Sequence, residues 1–204
     1  MTYLIGNVVS QHIGLKPVDL DDASFIVNLR TSPKASSLNP ISGREADQIE
    51  YIKSYQERYV NGDEVYFVVL SANLSQPVGL VRIHEINKPN TFNWASFIMS
   101  DEASPVLAIE VALIVYSIGF DLLQKKTCGP FPVEKSNERL IQFHEQIGMS
   151  RVVSQTKDQW ILETPSSMFF ERISIYRKKK LGTIQYVTYR DRTHEALIST
   201  DHNL

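Results

Sequence analysis

The stretch VLAIEVALIVYSIGF, residues 106–120, restricts the fold more than any other part of this chain. Ser104-Pro105 introduces it, with serine suited to the N-cap and proline to the first helical position. The pattern predicts a helix from there to about Gln124. It is apolar nearly all round, so it must be covered on every side. Glu110 interrupts it, and it falls short of the roughly 20 apolar residues that span a bilayer. The expectation is therefore a core helix buried against a sheet, with no membrane partner. A chain of 204 residues, 43% apolar and 22% charged, can build such a core within one domain.

The rest of the sequence supplies the sheet. HIGLKPV (12–18) reads as a strand with Pro17 at its end. Asp19 caps a short helix through LDDASFIVNLR, and TSPKASSLNPISG is a loop. A second helix spans about Glu45 to Val60, with Ile49, Ile52, Tyr55 and Tyr59 at helical spacing. VYFVVLS (65–71) and PVGLVRIHEI (77–86) form a hairpin, and TFNWASFIMS (91–100) a third strand. After the long helix, TCGPFPVEK is a short strand interrupted by two prolines. Ser136 or Asn137 caps the helix of FHEQIGM (143–149), with Gly148 at its end. RVVSQ and QWILET close a hairpin, and MFFERISIYRKKK is a last helix. The final dozen residues have little to hold them. The order β-α-α-β-β-β-α-β-α-β-β predicts an α+β (mixed α/β) fold, a largely antiparallel twisted sheet flanked by helices. We divide it as a main domain over 1–165 and a C-terminal helix and extension over 166–204, packed on that domain or trailing from it.

Composition removes several classes of function. A net charge of -2 gives no general affinity for nucleic acid, and Arg177-Lys178-Lys179-Lys180 reads as a solvated helix end. One cysteine, Cys128, excludes an intrachain disulfide, and His84, His144, Asp101 and Glu102 lack metal-ligand spacing. The N-terminus has no basic n-region, so a cytoplasmic location is expected. Ile184, Tyr186, Val187 and Tyr189 in the tail suit an added strand or a homodimer contact.

Three segments carry a resemblance that covers roughly residues 12–163. FNWASFIMS followed by the long helix, Ala108-Ile109-Glu110-Val111 with Phe120 ten residues after the glutamate, and Asn137 leading into FHEQIGM resemble the GNAT superfamily of acyl-CoA-dependent N-acetyltransferases. The likeness extends to its ribosomal-protein N-terminal acetyltransferase branch and its amino-sugar branch. It implies acetyl-CoA as co-substrate, a primary amine of a small molecule as acceptor, and direct attack on the thioester. The acceptor implied is an amino sugar, nucleotide-linked; the alternatives are a protein N-terminus or a GNAT-fold binding module without catalysis. One departure stands out. The family's pyrophosphate loop is rich in glycine, whereas Ala103-Ser104-Pro105-Val106-Leu107-Ala108 has none.

The resemblance assigns the candidate site. His144 takes the place of the family's tyrosine and would handle a proton; on the residues alone it reads as a core histidine with a hydrogen-bond partner. The amides of Leu107, Ala108 and Ile109 would meet the pyrophosphate. The backbone of Phe97, Ile98 and Met99, together with Asn137, would hold the pantetheine arm. On the acceptor side, Arg30 suits a phosphate or carboxylate, Trp94 a stacked ring, and His84 shares a strand face with Arg82. Glu110 either steers the amine or answers the helix dipole.

Overall fold

The computed structural model describes residues 3–71, 76–147, 149–176, 182–190 and 195–200. Ten strands form one sheet in the order β10-β9-β1-β2-β3-β4-β5-β6-β8-β7. In chain order they are β1 (Tyr3–Val9), β2 (Ile13–Pro17), β3 (Glu64–Ser71), β4 (Pro77–His84), β5 (Thr91–Met99), β6 (Thr127–Glu134), β7 (Arg151–Gln155), β8 (Gln159–Pro165), β9 (Gln185–Arg190) and β10 (Glu195–Thr200). The helices are α1 (Ala23–Arg30), α2 (Glu45–Val60), α3 (Pro105–Ser117), α4 (Glu138–Ile147) and α5 (Ser166–Tyr176). Every neighbouring pair of strands is antiparallel except β5 and β6.

The helices divide between the two faces. Residues that face one another across strands share a face of the sheet. Tyr66, Val68, Leu80 and Ile98 meet Ile26, Leu29, Ile52 and Tyr55 of α1 and α2 on one side. Phe67, Val81, Ile83 and Phe92 meet α3 on the other. From Glu110 to Ser117 every residue of α3 is buried, which satisfies its all-round apolar character. The helix continues as a wider π-turn over Ile118–Leu122.

Local signals act as the residue types require. Asp19 forms a capping box with Asp22, its side chain accepting from the Asp21 amide at 3.0 Å and the Asp22 carboxylate accepting from the Asp19 amide at 2.8 Å. Ser104 is the N-cap of α3 with Pro105 at the first position, and the Asn137 side chain accepts from the Leu140 amide at 3.1 Å at the start of α4.

The structure adds β1 and β10 to the strands read from the pattern, and the strand offered by Tyr186, Val187 and Tyr189 forms as β9. β1 pairs with β2 and with β9, and β9 with β10. The expectation that the final dozen residues have little to hold them is corrected: Glu195–Thr200 pairs along β9. Phe169 and Ile173 of α5 and Tyr186 of β9 belong to the same core cluster as α3. Gly148 and the basic run at 177–180 lie outside the described residues.

Gly119 sits where α3 widens, against the Phe92 ring. A Cβ there would lie 2.0 Å from Phe92 Cζ. Replacing a helical glycine by alanine ordinarily gains up to about 1 kcal/mol, but the clash dominates here. Gly119→Ala is expected to destabilise the protein by about 1–3 kcal/mol, read as a lower urea midpoint at unchanged slope.

Candidate functional site

β5 and β6 touch at only two residue pairs, Thr91↔Thr127 and Phe92↔Cys128. Beyond them β6 pairs with β8 alone, and the β6-facing edge of β5 from Asn93 to Met99 has no strand partner among the described residues. Pro130 and Pro132 explain part of this, since neither has an N–H to give to a continuing ladder. β5 is also irregular. Arg82 faces Ala95 but Leu80 faces Ile98, so β5 carries one extra residue, and Ser96 takes a left-handed backbone with φ of 55°. Such bulges re-aim side chains beside active sites. After this one, Phe97 turns to the α3 side, 5.4 Å from the Trp94 ring.

Helix α4 lies over the gap. Phe143 meets Phe97 of β5 at 6.1 Å between ring centres, and the neighbouring His144 meets Phe131 of β6 at 5.1 Å. His144 therefore stands at the parted strands, 6% exposed. Its Nδ1 lies 3.0 Å from Ser150 Oγ, which is 2.8 Å from Thr164 Oγ1. Thr164 donates to the Tyr116 hydroxyl of α3 at 3.2 Å. Each hydroxyl has one proton, so the chain has a direction. Thr164 spends its proton on Tyr116, Ser150 must donate to Thr164, and Ser150 is left to accept from His144. That makes Nδ1 the protonated nitrogen and leaves the Nε2 lone pair free. Burial also pushes the imidazole down to about 4, so it is neutral at pH 7. Burial raises the Tyr116 and Cys128 groups alongside, which keeps both uncharged.

The donor-side residues fall into place around this gap. α3 starts with Ser104, whose side chain makes no capping bond. The amides outside the helical ladder are then those of Val106 and Leu107, and Leu107 bends to Ser104 O at 3.0 Å. Ala108 and Ile109 fall on the next positions, where the amides already belong to the ladder. Lys34 pairs with Asp101 at 2.6 Å, which offsets one of the two carboxylates ahead of the helix. Asn137 keeps its amide group available beyond the cap it provides. An acyl-CoA fits these features: an unpaired strand edge for an amide-rich arm, and an uncapped helix start for phosphate.

The acceptor-side candidates separate. Trp94 lies on the α3 face, 5.8 Å edge-on to Tyr116, whereas His84 and Arg82 lie on the α1–α2 face. Both faces are thus packed by helices. Arg30, at the end of α1, donates to Asn39 O. Burial lowers the pKa of His84, which leaves it neutral. Glu110 is 1% exposed, and its carboxylate accepts from Ser10 Oγ at 2.6 Å and the His12 amide at 3.2 Å, with His12 Nδ1 at 3.0 Å. It fastens α3 to the β1–β2 turn. Ser150, Thr164 and Tyr116 were not singled out from the sequence. The available signal was the adjacent hydroxyls of Tyr116 and Ser117, inside a helix otherwise apolar but for Glu110.

The relay has a consequence for pH. A histidine near 4 when folded and about 6.5 when unfolded binds more protons in the unfolded state between those values. Its contribution is present above pH 6.5 and is lost as pH falls through 4. Long-range ¹H–¹⁵N spectra are expected to show His144 neutral and protonated on Nδ1 from pH 8 to about pH 5. A protonated Nε2 at neutral pH, or titration near 6.5, would contradict the relay.

No family model matches the sequence, and no curated protein matches it. Solved structures do. The apo form of FdhC, described as a nucleotide-linked sugar GNAT, is 30% identical, with a TM-score of 0.75 over 86% of this chain and 98% of that one. Spermidine N-acetyltransferase from Vibrio cholerae, in complex with CoA and spermine, is 19% identical with a TM-score of 0.64 over 78% and 98%. The Campylobacter jejuni N-acetyltransferase PseH is 15% identical with a TM-score of 0.55 over 75% and 97%. The last two agree in fold; the first also agrees in sequence along nearly its whole length. With the parted strands and the helix that bridges them, this places the chain in the GNAT superfamily of N-acetyltransferases.

Proposed function

We propose that this protein transfers an acetyl group from acetyl-CoA to the primary amine of a small molecule, a nucleotide-linked amino sugar. The observation that carries the reading is the two-pair contact between β5 and β6 with His144 held over the opening. Acetyl-CoA supplies the activated acyl group. The free edge of β5 at Phe97, Ile98 and Met99 would take the pantetheine arm, with Asn137 beside it, and would aim an amide at the thioester oxygen. The amides of Val106 and Leu107 at the start of α3, and the helix dipole, would meet the phosphates, with Ala108 and Ile109 closing the first turn beneath them. The absent glycines narrow that approach, and backbone contacts remain.

His144 has the state this reaction needs. Its free Nε2 takes the proton that the amine nitrogen releases as the C–N bond forms. An imidazolium near 4 then gives that proton readily to the departing thiolate, whose thiol has an ordinary value of about 8.5. The nitrogen loses one proton, the sulfur gains it, and His144 returns to its starting form. Positioning of both reactants in the gap provides the larger part of the rate.

The acceptor assignment draws on the sequence likeness to the nucleotide-linked sugar GNAT and on two arginines, Arg30 at the end of α1 and Arg82 on β4, on the α1–α2 face of the sheet. Trp94, packed beside Tyr116, would shape the wall of the gap. Glu110 would hold α3 in register through the β1–β2 turn, and His84 would line the α1–α2 side. The glycine-free loop favours a second reading, a binding module without catalysis.

The two readings separate experimentally. Acetyl-CoA at 100 times its dissociation constant should stabilise the folded chain by about 2.7 kcal/mol, visible as a raised melting temperature. Thiol release with a nucleotide-linked amino sugar should follow, and His144→Phe should lower turnover by ~10²–10⁴-fold with the fold intact. No melting shift at millimolar acetyl-CoA would remove the enzyme reading.

A further inference from the structure

The α1–α2 face of the sheet carries a group of polar atoms with unspent hydrogen-bonding capacity. Tyr66 of β3 is 1% exposed, and among the described residues its hydroxyl has no partner in hydrogen-bond geometry. The Arg82 guanidinium lies 4.7 Å from the centre of its ring, and the positive charge of Arg30 also acts on its hydroxyl. The Nε of Arg30 and the Nε of Arg82 are likewise buried and unpartnered. Native interiors rarely leave such groups unpaired, and each one asks for an explanation.

The charge balance points the same way. Arg82 and Arg58 share a single carboxylate, Glu64, at 3.8 and 2.9 Å. Among the described residues, no carboxylate is within ion-pair distance of Arg30. Three guanidinium groups against one carboxylate leave the cluster two positive charges in excess. Arg82 is also held by the Tyr51 hydroxyl, which fixes its plane. Planar, pre-positioned guanidinium groups are suited to phosphate.

The cluster adjoins the candidate site. Arg82 faces Ala95 of β5, which is exposed and directly precedes the bulge at Ser96. The subsite is thus one strand spacing, about 4.8 Å, from the edge that would polarise the thioester. We infer that Arg30, Tyr66 and Arg82 form an anion subsite that takes the diphosphate of the acceptor and so selects phosphorylated acceptors over polycationic ones. This rests on the amine-acetylating reading above and adds to it the group that anchors the acceptor away from its reacting nitrogen. The Tyr66 hydroxyl donates to a phosphate oxygen, and the Nε–H groups of both arginines donate to the others.

Tyr66→Phe tests this cleanly, because it deletes a hydroxyl that has no partner to lose in the free protein. The full-length protein is titrated calorimetrically with UDP, inorganic pyrophosphate and spermidine in saturating CoA, which fills any phosphate site at α3. UDP and pyrophosphate are expected to bind and spermidine is not. Tyr66→Phe should melt at or above the wild-type temperature and bind UDP about tenfold more weakly; Arg82→Gln should weaken it further. Wild-type protein that ignores UDP, or Tyr66→Phe that binds it equally well, overturns the subsite. If CoA itself fails to bind, the acetyl-transfer reading falls. The same UDP comparison on the CoA-free chain then still decides the subsite.

Discussion

The rest of the structure depends on one interruption of backbone pairing. A ten-stranded sheet would bury its polar edges everywhere but at its ends. Here β5 and β6 part after two pairs, which leaves a second, internal edge without a strand partner among the described residues. Prolines in β6 and the extra residue in β5 make the parting possible. A left-handed Ser96 costs conformational energy that the packed surroundings must offset. Strain of this kind is retained where an opening in the sheet has a use.

The two sides of that opening are prepared differently. On the α3 face the sheet is aromatic, and four polar side chains there form a directed chain from His144 through Ser150 and Thr164 to Tyr116. On the α1–α2 face, polar atoms on Arg30, Tyr66 and Arg82 remain unmatched, with an excess of positive charge. A satisfied relay suits a group that must present one fixed tautomer. An unsatisfied cluster suits a group that waits for a ligand. Proton handling and acceptor anchoring would thus lie on opposite faces of β5, joined through a strand only one residue thick.

Much of this was legible in the sequence, for identifiable reasons. Caps at Asp19, Ser104 and Asn137 are local, and the all-round apolar α3 demanded the buried place it has. β1 was missed because a register shift between Ile5 and Val8 breaks its alternation. β9 was legible as an added strand from Tyr186, Val187 and Tyr189, but its partner β1 lies at the opposite end of the chain, and β10 was missed because it pairs only with β9. The same physics limited the site. Trp94 and His84 fall on opposite faces, and a bulge at Ser96 resets every residue after it, which alternation alone does not reveal. His144 was visible as a candidate, but its tautomer depends on Ser150 and Thr164. Those belong to the closing hairpin and act through space.

Amide hydrogen exchange with and without acetyl-CoA tests the central claim most directly, since it reads the unpaired edge itself. The account predicts that acetyl-CoA slows exchange along Asn93–Met99 of β5 and at Val106 and Leu107 at the start of α3, with little change in the paired strands β2 and β3. Protection elsewhere, or none along β5, would mean that the parted strands are not where the donor binds.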